Sequence, residues 1–195
     1  MKKKKLSALL LLSLLLTGCS SSPKFTTDGR NWEDDWINIG SNIGIEAPKE
    51  LTLSDNKDAL AADGLYYATW VAGGSVPYKN SDGETIDLYD AQLYFLAGES
   101  PSEESAREEC SIWLTAAKEN YEIQTETEIT CNGQSYTLIT YNCAGEDTPY
   151  DRGASAFGTC GVNAVCAEFT SRENYQKDLT PILTEFLNNC HYRAD

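Results

Sequence analysis

The sequence predicts an α+β fold, a mostly antiparallel sheet covered by helices, and three observations predict it. Strand-like segments follow one another in runs instead of alternating with helices, which argues against a doubly wound parallel sheet. Two segments carry helical apolar periodicity, one after residue 100 and one near the C-terminal end. Asp82-Gly83 and Asn132-Gly133 each stand between alternating segments, the signature of tight hairpin turns.

The elements follow in order. "WINIG" (36–40) and "IGIEAP" (43–48) alternate through Ile37, Ile39, Ile43 and Ile45 and read as short strands, the second ended by Pro48. "LTL" (51–53) is a further short strand, and 54–64 reads as a loop with room for one helical turn. "LYYATWVAG" (65–73) is an aromatic-rich strand. After the turn at Asp82-Gly83, residues 85–98 form a strand whose late part is apolar on both faces, as expected inside a covered sheet. Ser100, Pro101 and Glu103 form a capping box for a helix that ends at Asn120, with Ala106, Cys110, Trp113 and Ala117 on its inward face. Residues 121–143 make a hairpin on Asn132-Gly133 that pairs Cys131 with Gln134. A loop (144–153), two strands (154–161 and 162–171) and a last helix (about 172–190, capped by Ser171) complete the chain. The stripe of that helix is Leu179, Ile182, Leu183, Phe186 and Cys190, and Pro181 argues for a late start or a bend.

The front of the chain is of another kind. Lys2, Lys3, Lys4 and Lys5 precede an uncharged apolar run, residues 6–18, which as a helix rises about 20 Å and is too short to span a core of roughly 30 Å. It reads as a signal peptide. Leu16-Thr17-Gly18-Cys19 resembles a bacterial lipobox. The resemblance implies cleavage before Cys19 and lipid on its thiol, with enough acyl chains for stable anchoring. Residues 1–18 are then the leader, 19–31 the lipidated cysteine and a flexible polar tether, and 32–195 a single globular domain.

Without the leader, eleven basic residues face thirty acidic ones, a net charge of −19. Such a body repels phosphate backbones, which excludes nucleic acid as a partner. Six cysteines remain: Cys110, Cys131, Cys143, Cys160, Cys166 and Cys190. An even count in an exported chain points to disulfides, all of them stapling the C-terminal half. The hairpin excludes Cys131–Cys143, because bonded Cα atoms lie within about 7 Å. Cys143 and Cys160 flank the 144–153 loop and are the preferred pair. With no CxxC and one histidine, no metal site and no cofactor are expected.

The order of elements, strands closing on Pro48, then a long helix, paired strands and a terminal helix, resembles the Mog1/PsbP-like α/β/α sandwich family over residues 35–192. "SAFGTCGVNAVCAEF" (155–169) and "YQKDLTPILTEFL" (175–187) are most similar to its bacterial lipoprotein members. The resemblance implies a binding or assembly factor and supplies no catalytic residues.

The residues themselves offer little chemistry. His191, the sole histidine, is expected at a helix C-terminus, favoured there by the dipole. Asp34-Asp35 and Glu103-Glu104 read as solvated or helix-terminal charges. Residues 80–90 lack the full ligand set of a calcium loop and read as a hairpin turn. Glu146, Asp147 and Asp151 in 145–151 are a weaker cation candidate. Trp32, Trp36, Trp70, Tyr66, Tyr67 and Tyr150 are candidates for a stacking surface. The expected function is a membrane-anchored, non-enzymatic binding domain on the bacterial cell surface, with an envelope protein, a peptide or a glycan as partner. The rivals are an envelope assembly factor and a hydrolase built on paired carboxylates.

Overall fold

The computed structural model describes residues 37–39, 43–54, 61–62, 65–143 and 148–192. The leader, Cys19, the tether, Trp32, Asp34-Asp35, Trp36, Glu146 and Asp147 lie outside them.

The strands are β1 (Ile37–Ile39), β2 (Ile43–Ile45), β3 (Thr52–Leu53), β4 (Ala61–Ala62), β5 (Leu65–Lys79), β6 (Thr85–Glu99), β7 (Glu122–Cys131), β8 (Gln134–Asn142), β9 (Arg152–Cys160), β10 (Asn163–Ser171) and β11 (Cys190–Tyr192). The helices are α1 (Glu103–Asn120) and α2 (Leu179–Asn188). The main sheet runs β3-β5-β6-β10-β9-β8-β7, with β4 also on β5, and every pairing is antiparallel. A second sheet, β1-β2-β11, is antiparallel as well. The expected α+β class and mostly antiparallel sheet are what the chain forms.

The period-2 alternation of β10 shows how the layers arise. Val165, Ala167 and Phe169 join Phe186 and Leu183 of α2 in the larger core, while Cys166 packs with Ala117 of α1 on the other side. One helix therefore covers each face. The small sheet adds Ile39, Ile43 and Ile45 to the α2 side, all essentially buried.

The hairpin turn at Asn132-Gly133 has φ of 46° and 75°, the left-handed pair a two-residue loop demands, and Cys131 pairs with Gln134. The β5–β6 hairpin is longer than expected because the strand passes through a bulge at Gly73-Gly74. Gly74 N–H donates to Asp90 Oδ2 at 2.8 Å, and Asn174 holds the other oxygen at 2.7 Å.

Four boundaries differ from expectation. The first helix is capped by Ser102, whose Oγ accepts from Ser105 N–H at 3.1 Å, not by Ser100. Ser100 is engaged instead by the turn between β9 and β10, its N–H donating to Val162 O. The last helix begins at Leu179, with Asp178 accepting from Thr180 N–H at 3.0 Å, because Ser171 belongs to β10 and the intervening chain is held by Arg152. Pro181 then falls in the first turn, where a missing N–H costs nothing. Cys190 and His191 belong to β11 and not to the helix or its end. Within 54–64, Ala61–Ala62 is a strand.

The preferred disulfide is excluded by the strands. Cys143 N–H donates to Asp151 O at 2.8 Å at the start of β9, and Cys160 is its last residue, about 26 Å away at 3.3 Å per residue. The two also face opposite layers. Among the described residues all six thiols are unbonded, so stapling of the C-terminal half is not a feature of this structure.

Candidate functional site

The α1 side of the sheet carries the polar chemistry. In register across three strands stand Tyr94, Glu168 and Ser155. Glu168 is a carboxylate in the middle of a central strand. Such a group is costly to bury unless its oxygens are bonded. Tyr141 Oη donates to Glu168 Oε1 at 2.5 Å and Tyr121 Oη donates to the same oxygen at 2.9 Å.

Each tyrosine is placed by the fold. Tyr121 is the residue that ends α1, its N–H closing on Ala117 O. Its ring stacks on Tyr141 at 3.9 Å between centroids and 8° between planes. Tyr141 in turn lies over Gly153, where a Cβ would come within 2.4 Å of the ring. Glycine is needed there for close approach. Tyr67 and Tyr94 stack alongside at 5.2 Å.

Burial pushes the Glu168 carboxyl above its ordinary range, against the opposing hydrogen bonds from Tyr141, Tyr121 and Ser155. Burial and then the Glu168 charge raise Tyr121 and Tyr141. Cys143 is pushed up to about 12, first by burial, then by Glu168 and Asp151. The tyrosine hydroxyls and the Cys143 thiol are thereby held toward their protonated forms. The two hydroxyls hold the Glu168 carboxyl group in place.

Beside it, a groove of about 580 Å³ opens between the first half of α1 and β8–β9. Its lining is mostly polar: Leu114 and the buried Phe157 are its apolar carbon side chains, and Glu103, Arg107 and Glu128 give it charge. Arg107 pairs with Glu103 one turn earlier, and Glu128 accepts from Thr137 Oγ1 at 2.7 Å. Cys110 also lines it. Its thiol donates to Gly158 O at 2.8 Å and is raised to about 11 by burial, so it is a packed thiol.

The residues singled out in the sequence are scattered. Trp70 is fully buried on the α2 side, and Tyr66 packs there too. Tyr67 is on the α1 side, and Tyr150 is buried with its Oη donating to Gln92 Oε1 at 3.0 Å. Among the described residues, these four form no common stacking surface. Tyr67, Tyr94, Trp113, Tyr121 and Tyr141 gather instead. His191 Nδ1 lies 3.3 Å from Asn132 Nδ2. Glu103 and Glu104 occupy the first turn of α1, where the dipole favours them. Residues 80–84 are a turn in which Asn80 Oδ1 accepts from Asp82 and Glu84 N–H, and Asp151 Oδ2 accepts from Glu173 N–H at 2.6 Å. Among the described residues no cluster of three His, Cys, Asp or Glu side chains could hold a metal, and no helix is long and apolar enough to cross a membrane. The missed residue with a readable signal is Glu168, a lone charge in the otherwise uncharged strand "NAVCAEFTS".

No family model matches the sequence, and no curated protein matches it. Solved structures that match the chain include one from Bacteroides thetaiotaomicron, at 11% identity and a TM-score of 0.45 over 78% of this chain and 46% of that one. The chain thus spans less than half the length of that protein. Another is the cyanobacterial PsbP of Synechocystis, at 13% identity and a TM-score of 0.38 over 75% of this chain and 95% of that one. A third is a Pseudomonas aeruginosa protein of unknown function, at 12% identity and a TM-score of 0.39 over 63% of this chain and all of that one.

Proposed function

We propose that the mature chain is a lipid-anchored extracytoplasmic binding module without enzymatic activity. Cys19 carries the lipid, residues 20–31 provide reach, and the domain presents the groove beside α1. The observation that carries the reading is that groove: an open, mostly polar concavity that includes Leu114 and Phe157 and carries a carboxylate on each side, on a body of strong negative charge. Such a site suits an extended peptide segment of an envelope protein that offers apolar side chains to Leu114 and Phe157 and a basic one to Glu103 or Glu128.

The test uses a photo-crosslinking side chain at Ser111, which lines the groove, and at Ile112, which is 67% exposed beside it. The expected result in intact cells is one discrete protein adduct at Ser111, weak or absent at Ile112. Equal labelling from both positions, or capture of glycan in place of protein, overturns the peptide reading. Mass spectrometry of the native protein tests the anchor: an intact Met1 with an unmodified Cys19 ends it.

A further inference from the structure

The main sheet divides the six cysteines of the domain three and three. Cys131, Cys160 and Cys190 lie in the core on the α2 side, and Cys110, Cys143 and Cys166 lie on the α1 side. Side chains on opposite faces of a sheet point apart, and a disulfide needs its Cα atoms within about 7 Å. An odd number on each face rules out three bridges. At most one forms on each side, and at least one thiol per side stays free.

We propose that Cys160 and Cys190 are the oxidation site of the α2 side, joined as a disulfide that fastens β11 to the end of β9. Their sulfurs stand 4.0 Å apart, with Cys190 Sγ–H directed at Cys160 Sγ. A bond needs about 2.05 Å, so the sulfurs must close by about 2 Å, a movement within side-chain reach when both strand ends are already packed. The third thiol of this face, Cys131, ends β7 and is the competitor. The bond would fasten more than one strand. β11 pairs with β2, and β2 with β1, so the whole small sheet is tied to the main one. Tyr192 of β11 already lies on Gly161, the turn residue after Cys160, within 2.5 Å of where a Cβ would stand.

The chemistry is a thiol–disulfide exchange with an oxidised dithiol protein or with glutathione disulfide. The exchange starts from one of the two cysteines, written as Cys160. Its thiolate attacks one sulfur of the oxidant, and the other leaves as a thiolate. Cys190, giving up its proton, then attacks Cys160 Sγ and expels the second sulfur. The two cysteines lose two electrons and two protons, and the oxidant's disulfide gains them as two thiols. Both cysteines are 2% exposed, so the exchange takes place before β11 docks, and the finished bond is shielded.

This inference concerns the same exported chain as the reading above but stands on the core and not on the groove. The full-length protein is taken from cells, denatured in alkylating reagent without reductant, and its peptides are mapped. The expected result is a peptide pair joined through Cys160 and Cys190, with neither alkylated. The reduced chain refolded with oxidised and reduced glutathione should give the same pair. Cys131→Ser should keep the link and Cys190→Ser should abolish it. Treatment of the folded native protein with reductant should leave the bond intact under conditions that break it once denatured. A link from either residue to Cys131 or to any α1-side cysteine overturns the proposal, and so do two free thiols after oxidative refolding. Free thiols in native material combined with the expected link after refolding support the pairing and refute the extracytoplasmic reading.

Discussion

On the α2 side of the sheet, Leu93, Phe95, Phe169 and Phe186 are completely buried, and the Phe186 ring stands edge-on to Trp70 at 4.9 Å. On the α1 side, the alternate residues of the same strands are Gln92, Tyr94 and Glu168, all half-buried. Both faces are covered by one helix, yet one is a dry apolar core and the other a bonded polar network with an open groove beside it. The contrast follows from the helices. Five of the ten residues of α2 are buried, against three of the eighteen of α1. A helix that buries little leaves room at its margin. Stability is therefore concentrated on the α2 side and the proposed binding groove lies on the α1 side, and the contrast can be tested one residue at a time.

The largest effect is expected at Phe186. Phe186→Ala removes a fully buried ring between Trp70 and Phe95 and should cost about 3–5 kcal/mol by chemical denaturation. Trp113→Ala, the corresponding truncation under α1, removes a half-buried ring and should cost about 2 kcal/mol or less, since less area returns to water. Equal losses would remove the distinction between the faces.

Next come two glycines of one strand. A methyl at Gly158 would meet Ser135 O at 2.5 Å and the Tyr136 ring at 2.4 Å on the α2 side, so backbone must move. Gly158→Ala should cost about 3 kcal/mol, the upper part of the overpacking range. At Gly153 the three nearest atoms the methyl would meet all belong to the Tyr141 side chain and none to the backbone. Gly153→Ala should cost about 1 kcal/mol by the same rule. Its clearer consequence is a lost Tyr141–Glu168 hydrogen bond, visible as altered tyrosine absorption.

Glu168 gives a smaller effect with a definite sign. Its carboxyl is held above the ordinary range by burial, so the folded chain keeps a proton that the unfolded chain has released. The unfolded state then binds fewer protons, and stability falls as pH rises from about 4.3 through the folded value. Glu168→Gln cannot titrate and should lack that fall while its carbonyl still accepts from the tyrosines. Urea midpoints from pH 4 to 8 should show the native chain losing ground to the variant as pH rises. The opposite trend would mean that the hydrogen bonds outweigh burial.

The dry face was far more legible than the polar one. The segments 65–73, 85–98 and 162–171 and the Asn132-Gly133 turn specify strands through local physics, and the strands form, the first of them running on to Lys79. The stripe Leu179, Ile182, Leu183 and Phe186 is likewise buried as its spacing requires. Boundaries failed where tertiary bonds overrode local signals: Ser100 was claimed by Val162 O, and Ser171 by the ladder of β10. The Cys143–Cys160 pairing failed because closeness in sequence says nothing about the two ends of a strand. Glu168 and its tyrosines come from β8, β10 and the end of α1, and no linear spacing unites them. That half of the molecule is legible only once the register between strands is known.

The smallest stability effect is expected at the groove itself. Arg107 is 66% exposed in its side chain and pairs with Glu103 one helical turn away. Exposed pairs of this kind contribute about 0.3–0.5 kcal/mol, so Arg107→Ala should shift the denaturation midpoint by no more than that. Its effect on binding should be larger and of opposite sense. Removing the cation frees the Glu103 carboxylate and makes the groove more negative, which favours a basic segment. Crosslinking from Ser111 should then increase, and the gain should fade as salt screens the charges over about 10 Å at 0.1 M ionic strength. A variant as stable as the native chain but unchanged in capture would detach the groove's charge from its ligand, and a salt-independent gain would assign the contact to Leu114 and Phe157 alone.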